Sequence, residues 1–580
     1  MVKPENAVVK PENAVVEPVE TTPQTMKTPI ICTTLLIEKS PQALPLGAAC
    51  IASAIKNSPE LNKLTEVSLK AFSLEDEAVK KAGDIAAYIA EELLKLTNGR
   101  KSIICLSAFV WNIKILVQVA KILGEHNCIT IAGGPEITAH PDFYKAFDYT
   151  VSGEGEISVP RLIERILKNT SSGGQDRSEK SDSIIISTSP ELSELTSPYL
   201  DGIIDPAEYG GALWELARGC PFKCAYCYES KGGKSVRLFP MERIKAELEL
   251  FAKKKVPQVF VLDPTYNVNK KRAVELLRLI AAKTPDTFYY FEARAELIDR
   301  ELAREFTRIP CALQIGLQSA NEETLRLVNR PFDKKKFVRG LSILNEEGVT
   351  FGLDLIYGLP GENFGSFRDG IDFAISMLPN NLEIFCLSVL PGTELADKAT
   401  ALGLEYEDKP PYHVIKTKEL PVQDLERARQ LAAACSYFYN AGRAVSWFNP
   451  ICRLLKLKPS KFFELFYQKN KSQCEAPDCC SCAHQEIEKV QLQFIKSLLA
   501  ERHQEKYSRL VEDLIKFYGV ISRTTDTGQS EQLSLNYDAE YLASGYAADI
   551  KYFYENVKPK KCRIQTFMNR GQVDFRFIKN

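Results

Sequence analysis

From residue 29 to about residue 170, short continuous apolar runs alternate with stretches of helical period. PIICTTLLI, EVSLKAF, KSIICLSA, CITIAGG and FDYTVSGEG read as strands, and 46–56 and 111–123 as helices between them. Strands that lack polar alternation are buried on both faces, so the pattern predicts βαβ units around a parallel, Rossmann-like sheet of about five strands over 29–170. The Gly-, Ser- and charge-rich run NTSSGGQDRSEKSDS, from Asn169, breaks the periodicity and predicts a linker over 171–212. Between 213 and 398, LWELARG, QVFVLD, FYYFEA, CALQIGL, FGLDLI and LEIFCLSVL alternate with helical segments. Six such units predict a partial (β/α)6 barrel of TIM type, with ligands at the carboxyl ends of its strands. From 399 to 580 the period is mainly helical, as over 423–439 and 489–518, which predicts a helical third domain in an α/β chain.

Composition narrows the function classes. At 580 residues the chain exceeds one hydrophobic core, in keeping with several domains. Residues 1–28 hold a tandem heptapeptide, VKPENAV, followed by Pro, Glu and Thr, and are expected to be a disordered lead. The 74 basic and 75 acidic residues leave a formal net charge of -1, which supplies no global field toward nucleic acid or an anionic membrane. No apolar run reaches the roughly 18 residues of a membrane span and no signal-peptide core is visible, so a cytoplasmic location is expected. In that setting the 16 cysteines are expected to be thiols or metal ligands rather than a disulfide framework.

Cys220, Cys224 and Cys227 stand in Arg218-Gly219-Cys220-Pro221-Phe222-Lys223-Cys224-Ala225-Tyr226-Cys227, directly after the first strand of the predicted barrel. Three thiolates on one loop can reach three irons of a four-iron cluster and leave the fourth iron open to an exogenous ligand. Two other readings remain: a structural zinc site, which wants a fourth Cys or His that the next fifty residues lack, and a redox pair of Cys224 and Cys227.

The run resembles the radical S-adenosylmethionine superfamily. The resemblance implies a 4Fe-4S cluster on Cys220, Cys224 and Cys227, with S-adenosylmethionine chelated at the open iron and Tyr226 near its adenine. Further contacts are expected at the later strand ends, from Glu292, Arg294, Gln318, Ser319 and Asp354, as partners for the methionine end or the ribose. Leu262-Asp263-Pro264 stands where the family commonly has a Gly-Gly-Glu-like motif, whereas Gly358-Leu359-Pro360-Gly361 and Pro391-Gly392-Thr393 match its pattern.

In the first domain the strand exits carry Ser107, Gly133-Gly134-Pro135 and Gly153-Glu154-Gly155-Glu156. Glycines there let a ligand approach the backbone, at the edge where open parallel sheets bind cofactors. These loops look like those of cobalamin-binding domains fused to radical enzymes, which implies cobalamin contacts from Ser107, Gly133, Gly134, Pro135, Gly153, Glu154 and Gly155. The loop 38–47 lacks the histidine that many such domains give to cobalt, and His126 and His140 read as surface residues. The segment 412–443 resembles an uncharacterised extension of one subgroup. Cys474, Cys479, Cys480 and Cys482, with His484, form a compact group that could hold zinc or a second iron-sulfur centre, or remain reduced thiols.

The resemblance implies a cobalamin-dependent radical enzyme that methylates an unactivated carbon, fed by a reductant such as flavodoxin or ferredoxin. Rearrangement, cyclisation or oxidation without methyl transfer is the alternative, and a non-catalytic cobalamin or redox sensor is the alternative of another class. The residues name no substrate.

Overall fold

Strand β1 (Thr28–Leu36) shows why the first domain forms an open, two-faced sheet. Its alternate side chains serve two cores: Ile30 and Cys32 pack under the helices Leu46–Asn57 and Ser158–Ser171, and Ile31 and Leu35 under Ile85–Thr97 and Ile113–Gly124. Each isoleucine fully buried this way contributes about 1.5–3 kcal/mol before chain entropy is counted. The structure, a computed structural model, describes residues 27–171, 183–230, 235–476, 483–569 and 572–579, so most of the expected disordered lead lies outside the described residues.

The sheet holds six strands, all parallel. With β2 (Thr65–Ser73), β3 (Ser102–Ser107), β4 (Cys128–Gly133), β5 (Tyr149–Ser152) and β6 (Ile184–Ile186), the spatial order is β2-β1-β3-β4-β5-β6. The sixth strand corrects the expected linker: within 171–212, Ile184–Ile186 pairs with Thr150–Ser152 and extends the sheet. Three residues are too short to register as a strand in the sequence, and the edge of the sheet recruits them by backbone pairing, with Ile185 packed against the core beneath.

The second sheet holds β7 (Ala212–Trp214), β10 (Gln258–Val261), β11 (Phe288–Ala293), β12 (Cys311–Gln318), β13 (Thr350–Tyr357) and β14 (Asn381–Cys386), parallel and in that order, with β7 and β14 at its two edges. Along β11, Tyr289, Phe291 and Ala293 are buried toward the outer helices, whereas Phe288, Tyr290 and Glu292 face the interior. The run LWELARG is not one strand. After β7 it turns and forms β8 (Ala217–Arg218), which pairs antiparallel with β9 (Arg237–Leu238), so the cysteine loop is held at both ends like a hairpin.

The carboxyl-terminal part is helical from Val422–Cys435 to Ser508–Thr527, around a core of Phe438, Trp447, Phe448, Phe462, Phe466 and Phe494. It is less purely helical than its period predicts, because Gln532–Leu535, Cys562–Asn569 and Gln572–Phe577 form an antiparallel sheet. Nor does it stand apart, since its buried side chains are continuous with the barrel core. Asn440 forks onto edge strand β14, accepting from the Leu382 N–H at 2.8 Å and donating to the Leu382 carbonyl at 3.0 Å, which satisfies an edge that would otherwise be left open. No helix among the described residues is long and apolar enough to cross a membrane.

Candidate functional site

At the carboxyl edge of the first sheet lies a cavity of about 580 Å³. Ser107, Gly133, Gly134, Pro135, Gly153, Glu154 and Gly155, all singled out from the sequence, line it together. Its opposite wall comes from the barrel, through Leu213, Glu215, Arg218 and Leu262. Two of the glycines are demanded by the backbone. Gly134 has φ +107°, and a Cβ there would lie 2.5 Å from the Ala108 carbonyl oxygen; Gly153 has φ +98° and packs against Ser187. The loop 38–47 forms a largely apolar side of the cavity, and neither His126 nor His140 reaches it. Phe109 and Trp111, stacked at 4.5 Å, line it as well, a contribution that no spacing in the sequence marks.

Arg218, two residues before the first cysteine of the motif, joins this cavity to the barrel. Its guanidinium pairs with Glu154 at 2.7 Å, Glu156 at 2.7 Å and Glu215 at 2.9 Å, and Arg237 adds a second cation to Glu154. Burial works against the charge on Arg218, yet Glu215 and Glu156 hold its pKa above the ordinary value. Glu154 is likewise held below the usual carboxylate range by Arg237 and Arg218, against its own burial. Its carboxylate is thus spent on the clamp, although it was expected to meet a ligand.

The cysteine loop is fastened from below and beside. The Asp263 carboxylate, in the position where a Gly-Gly-Glu-like motif was sought, accepts from the Leu216 and Ala217 N–H groups at 2.8 and 3.0 Å and so sets the turn into the loop. Burial pushes Asp263 up to about 7. Backbone bonds tie Ala225 to Val328 and Leu395, and Arg294 stacks over Phe222 at 4.0 Å while donating to Glu296 and to the Pro331 carbonyl. Arg294 therefore braces the loop, with only its Nη1 left without a partner among the described residues.

Cys224 is buried, and Cys220 and Cys227 are partly open. Burial pushes the Cys227 thiol up to about 11, and the neighbouring Cys224 and Cys220 add to the rise, as thiols sharing one small space must. Among the described residues no three His, Cys, Asp or Glu side chains converge tightly enough to hold a single ion. Ligands to three different irons of a cubane do not need to converge that far, so the donor set fits a cluster better than a zinc ion. Arg330, which the sequence reading missed, approaches Cys224 Sγ at 3.8 Å and donates to the Tyr226 hydroxyl at 3.4 Å. Its only local signal is a position just after a short helix, and helix ends carry arginines for many reasons.

Inside the barrel, Glu292 on β11, Asp354 on β13 and Glu383 on β14 share the lumen with Gln314, which donates to Asp354. Burial, reinforced by Asp354 and Glu229, pushes Glu292 up to about 7; burial, reinforced by Glu383, pushes Asp354 up to about 6. Gln318 adopts φ +69°, and its buried Oε1 has no hydrogen-bond partner among the described residues. Ser319 does not offer its hydroxyl to a ligand: it is buried and donates to Glu362 at 2.5 Å. Of the carboxyl-terminal group, Cys479, Cys480 and Cys482 lie outside the described residues, and His484 is bonded to Gly442 and Arg523.

Residues 214–374, the barrel and its cysteine loop, match the Radical SAM superfamily. The barrel and its cysteine loop are thus a radical SAM domain. Residues 401–527 of the chain match a family of proteins of unknown function, DUF4080. It is 26% identical over 382 residues to the cobalamin-dependent radical SAM methyltransferase TokK of Streptomyces tokunonensis, covering 59% of this chain and 56% of that one. It is 28% identical over 336 residues to 2-(S-pantetheinyl)-carbapenam-3-carboxylate methyltransferase of Streptantibioticus cattleyicolor, covering 52% and 49%. The chain thus spans about half the length of these two curated relatives. Its fold is similar to that of the cobalamin-dependent S-adenosylmethionine radical enzyme OxsB, solved with aqua-cobalamin and S-adenosylmethionine, at a TM-score of 0.53 and 13% identity over 82% of this chain and 80% of that one.

Proposed function

We propose that this chain is a cobalamin-dependent radical S-adenosylmethionine methyltransferase acting on an unactivated carbon. One observation carries the reading: the cavity at the strand exits of an open parallel sheet has, as its far wall, the turn that leads into the Cys220–Cys224–Cys227 loop. Both curated relatives are methyltransferases by name, which favours methyl transfer over rearrangement, cyclisation or oxidation.

The residues fit the groups this reading requires. The cavity takes a broad, partly apolar ligand against glycine backbone, and the three thiols provide ligands for three irons and no fourth. When bound, the cluster and cobalamin supply one-electron cleavage of S-adenosylmethionine and a methyl carrier. Cys220, Cys224 and Cys227 would hold the cluster; Tyr226 and Gln318 would flank the cosubstrate. Glu292 and Asp354 offer carboxylates to its cationic groups and Arg330 a guanidinium to its carboxylate. Ser107, Gly133, Gly134, Pro135, Gly153 and Gly155 would wall the cobalamin site, with no histidine to the metal. Arg218 keeps the two sites in register, and the packed walls exclude water from a reactive intermediate. The electron comes from a reductant such as flavodoxin or ferredoxin, in the cytoplasm.

Anaerobic reconstitution with iron, sulfide and cobalamin, followed by reduction with methyl-labelled S-adenosylmethionine, tests the proposal. The expected result is a cubane spectrum, bound cobalamin, release of 5'-deoxyadenosine and label in the product. Alanine at Cys220, Cys224 and Cys227 should remove both the spectrum and the nucleoside. Turnover that survives the triple substitution rejects the radical mechanism, and unlabelled product rejects methyl transfer.

A further inference from the structure

The segment 401–527, which a family of unknown function covers, meets the first domain at a buried junction. Glu136, the residue after Gly133-Gly134-Pro135, is 5% exposed, and its carboxylate accepts from two tyrosine hydroxyls. Tyr144 belongs to the same domain and donates at 2.5 Å; Tyr412 comes from the extension and reaches across the junction. Lys114 of the first domain fastens the same segment by donating to the Pro410 carbonyl at 2.7 Å.

Tyr412 is itself held in an uncommon shape. Its φ is +60°, in the left-handed region that L side chains avoid, and it is 5% exposed. Such conformations persist where the surroundings over-determine them. Here the constraint comes from both sides: the Tyr412 carbonyl accepts from the Val389 N–H, and the Val414 N–H donates to the Leu387 carbonyl, each at 2.9 Å. Leu387, Val389 and Val414 then pack in a small apolar group with Leu395 and with Ala225, the residue after the second cysteine of the motif. A second contact runs parallel to it: Tyr228, next to Cys227, donates to the Pro135 carbonyl at 3.1 Å. One turn of the cavity wall is therefore tied to the cysteine loop directly and through the extension.

We propose that the 410–416 segment is a strap by which the extension sets the separation between the cavity and the cysteine loop, with Tyr412 as a positioning residue acting through Glu136. The inference rests on the functional reading above and gives the extension a part in it: two cofactor sites on different domains need a fixed distance, and the strap adds a tie beside Pro135 to the Arg218 and Arg237 pairs with Glu154 and Glu156. A buried carboxylate that takes one of its two phenol donors from across the junction resists separation there, because swinging the domains apart would take that donor away.

The test compares Tyr412→Phe, Glu136→Gln and Tyr144→Phe with the wild-type chain. Tyr144→Phe takes a hydroxyl from the same carboxylate without crossing the junction, so it reports the merely structural effect. Protein loaded anaerobically with iron, sulfide and cobalamin and then reduced holds two paramagnets, whose spin-spin coupling in electron paramagnetic resonance reads their separation. Tyr412→Phe and Glu136→Gln should shift or broaden that coupling, and Tyr144→Phe should leave it unchanged. In cofactor-free protein, amide exchange over 410–416 should rise about tenfold in Tyr412→Phe, the factor that loss of a hydrogen bond to a charged group implies. Unchanged coupling in Tyr412→Phe, or an equal change in Tyr144→Phe, overturns the strap. A wild-type chain that takes up the cluster but no cobalamin overturns the functional reading instead, and exchange that is then the same in Tyr412→Phe and Tyr144→Phe overturns the strap as well.

Discussion

The cavity and the barrel lumen meet at Arg218 and are built in opposite ways. The cavity is walled by backbone at glycine turns, by the apolar loop 38–47 and by the Phe109–Trp111 pair. The lumen is walled by side chains, and three of them, Glu292, Asp354 and Glu383, are carboxylates on β11, β13 and β14. The first suits a large ligand recognised by shape, where each added Cβ takes space; the second suits a small charged ligand recognised by its charges, where each neighbour shifts the next group's proton affinity. Electrostatics is kept in check in the cavity because three of its four acidic side chains, Glu154, Glu156 and Glu215, pair with Arg218, Arg237 adds a second cation to Glu154, and Glu38 accepts from Ser40 and Gln42.

Removing that neutralisation breaks the comparison most severely. Arg218→Met leaves Glu156 and Glu215 without their cation and Glu154 with Arg237 alone, and the loss of a partner from such a buried group costs about 3–5 kcal/mol. Urea unfolding should show a drop of that size, and Arg218→Lys should recover part of it, because a single ammonium cannot fork between three carboxylates. A next, smaller effect separates shape from charge within the cavity. Gly134→Ala forces a left-handed φ and a 2.5 Å approach to the Ala108 oxygen, at about 1–3 kcal/mol, whereas Gly133→Ala meets its nearest neighbour at 3.7 Å and should fold normally. Thermal unfolding of the pair checks this, and equal midpoints would refute the backbone argument.

The smallest effect at any one step, about 1.4 kcal/mol for each pH unit, belongs to the barrel side. Burial raises Glu362, beneath Ser319, to about 8. An unfolded glutamate titrates near 4.3, so between roughly pH 4 and pH 8 the folded chain keeps a proton that the unfolded chain has lost. Stability should therefore fall as pH rises through that window. Glu362→Gln, neutral at every pH, should flatten this slope in unfolding midpoints measured from pH 5 to 8. An unaltered slope would show that Glu362 is ionised in the fold.

Much of the site was legible because its chemistry is local. Three cysteines within eight residues mark a candidate metal loop on their own, and Gly-Gly-Pro and Gly-Glu-Gly-Glu mark close backbone approach at strand exits. Continuous apolar runs set between helical periods likewise marked the strands of both sheets, apart from Ile184–Ile186, whose pairing has no period to detect. Arg294, Ser319 and Glu154 were legible as polar residues near strand ends, yet each is occupied by a protein partner: Glu296, Glu362 and Arg218. A sequence records that a group can bond, not which neighbour reaches it first.

The sequence by itself determined the thiol spacing, the places where only glycine fits the backbone, and the absence of histidine from the loop 38–47. These follow from bonds and dihedrals within a few residues. Tertiary structure alone decided that Arg218 would face three carboxylates, that Arg330 would stand beside Cys224, and that Tyr412 would reach Glu136, 276 positions away. Such contacts depend on how separate elements pack, and packing is set by the summed burial of the whole core rather than by any short stretch of chain.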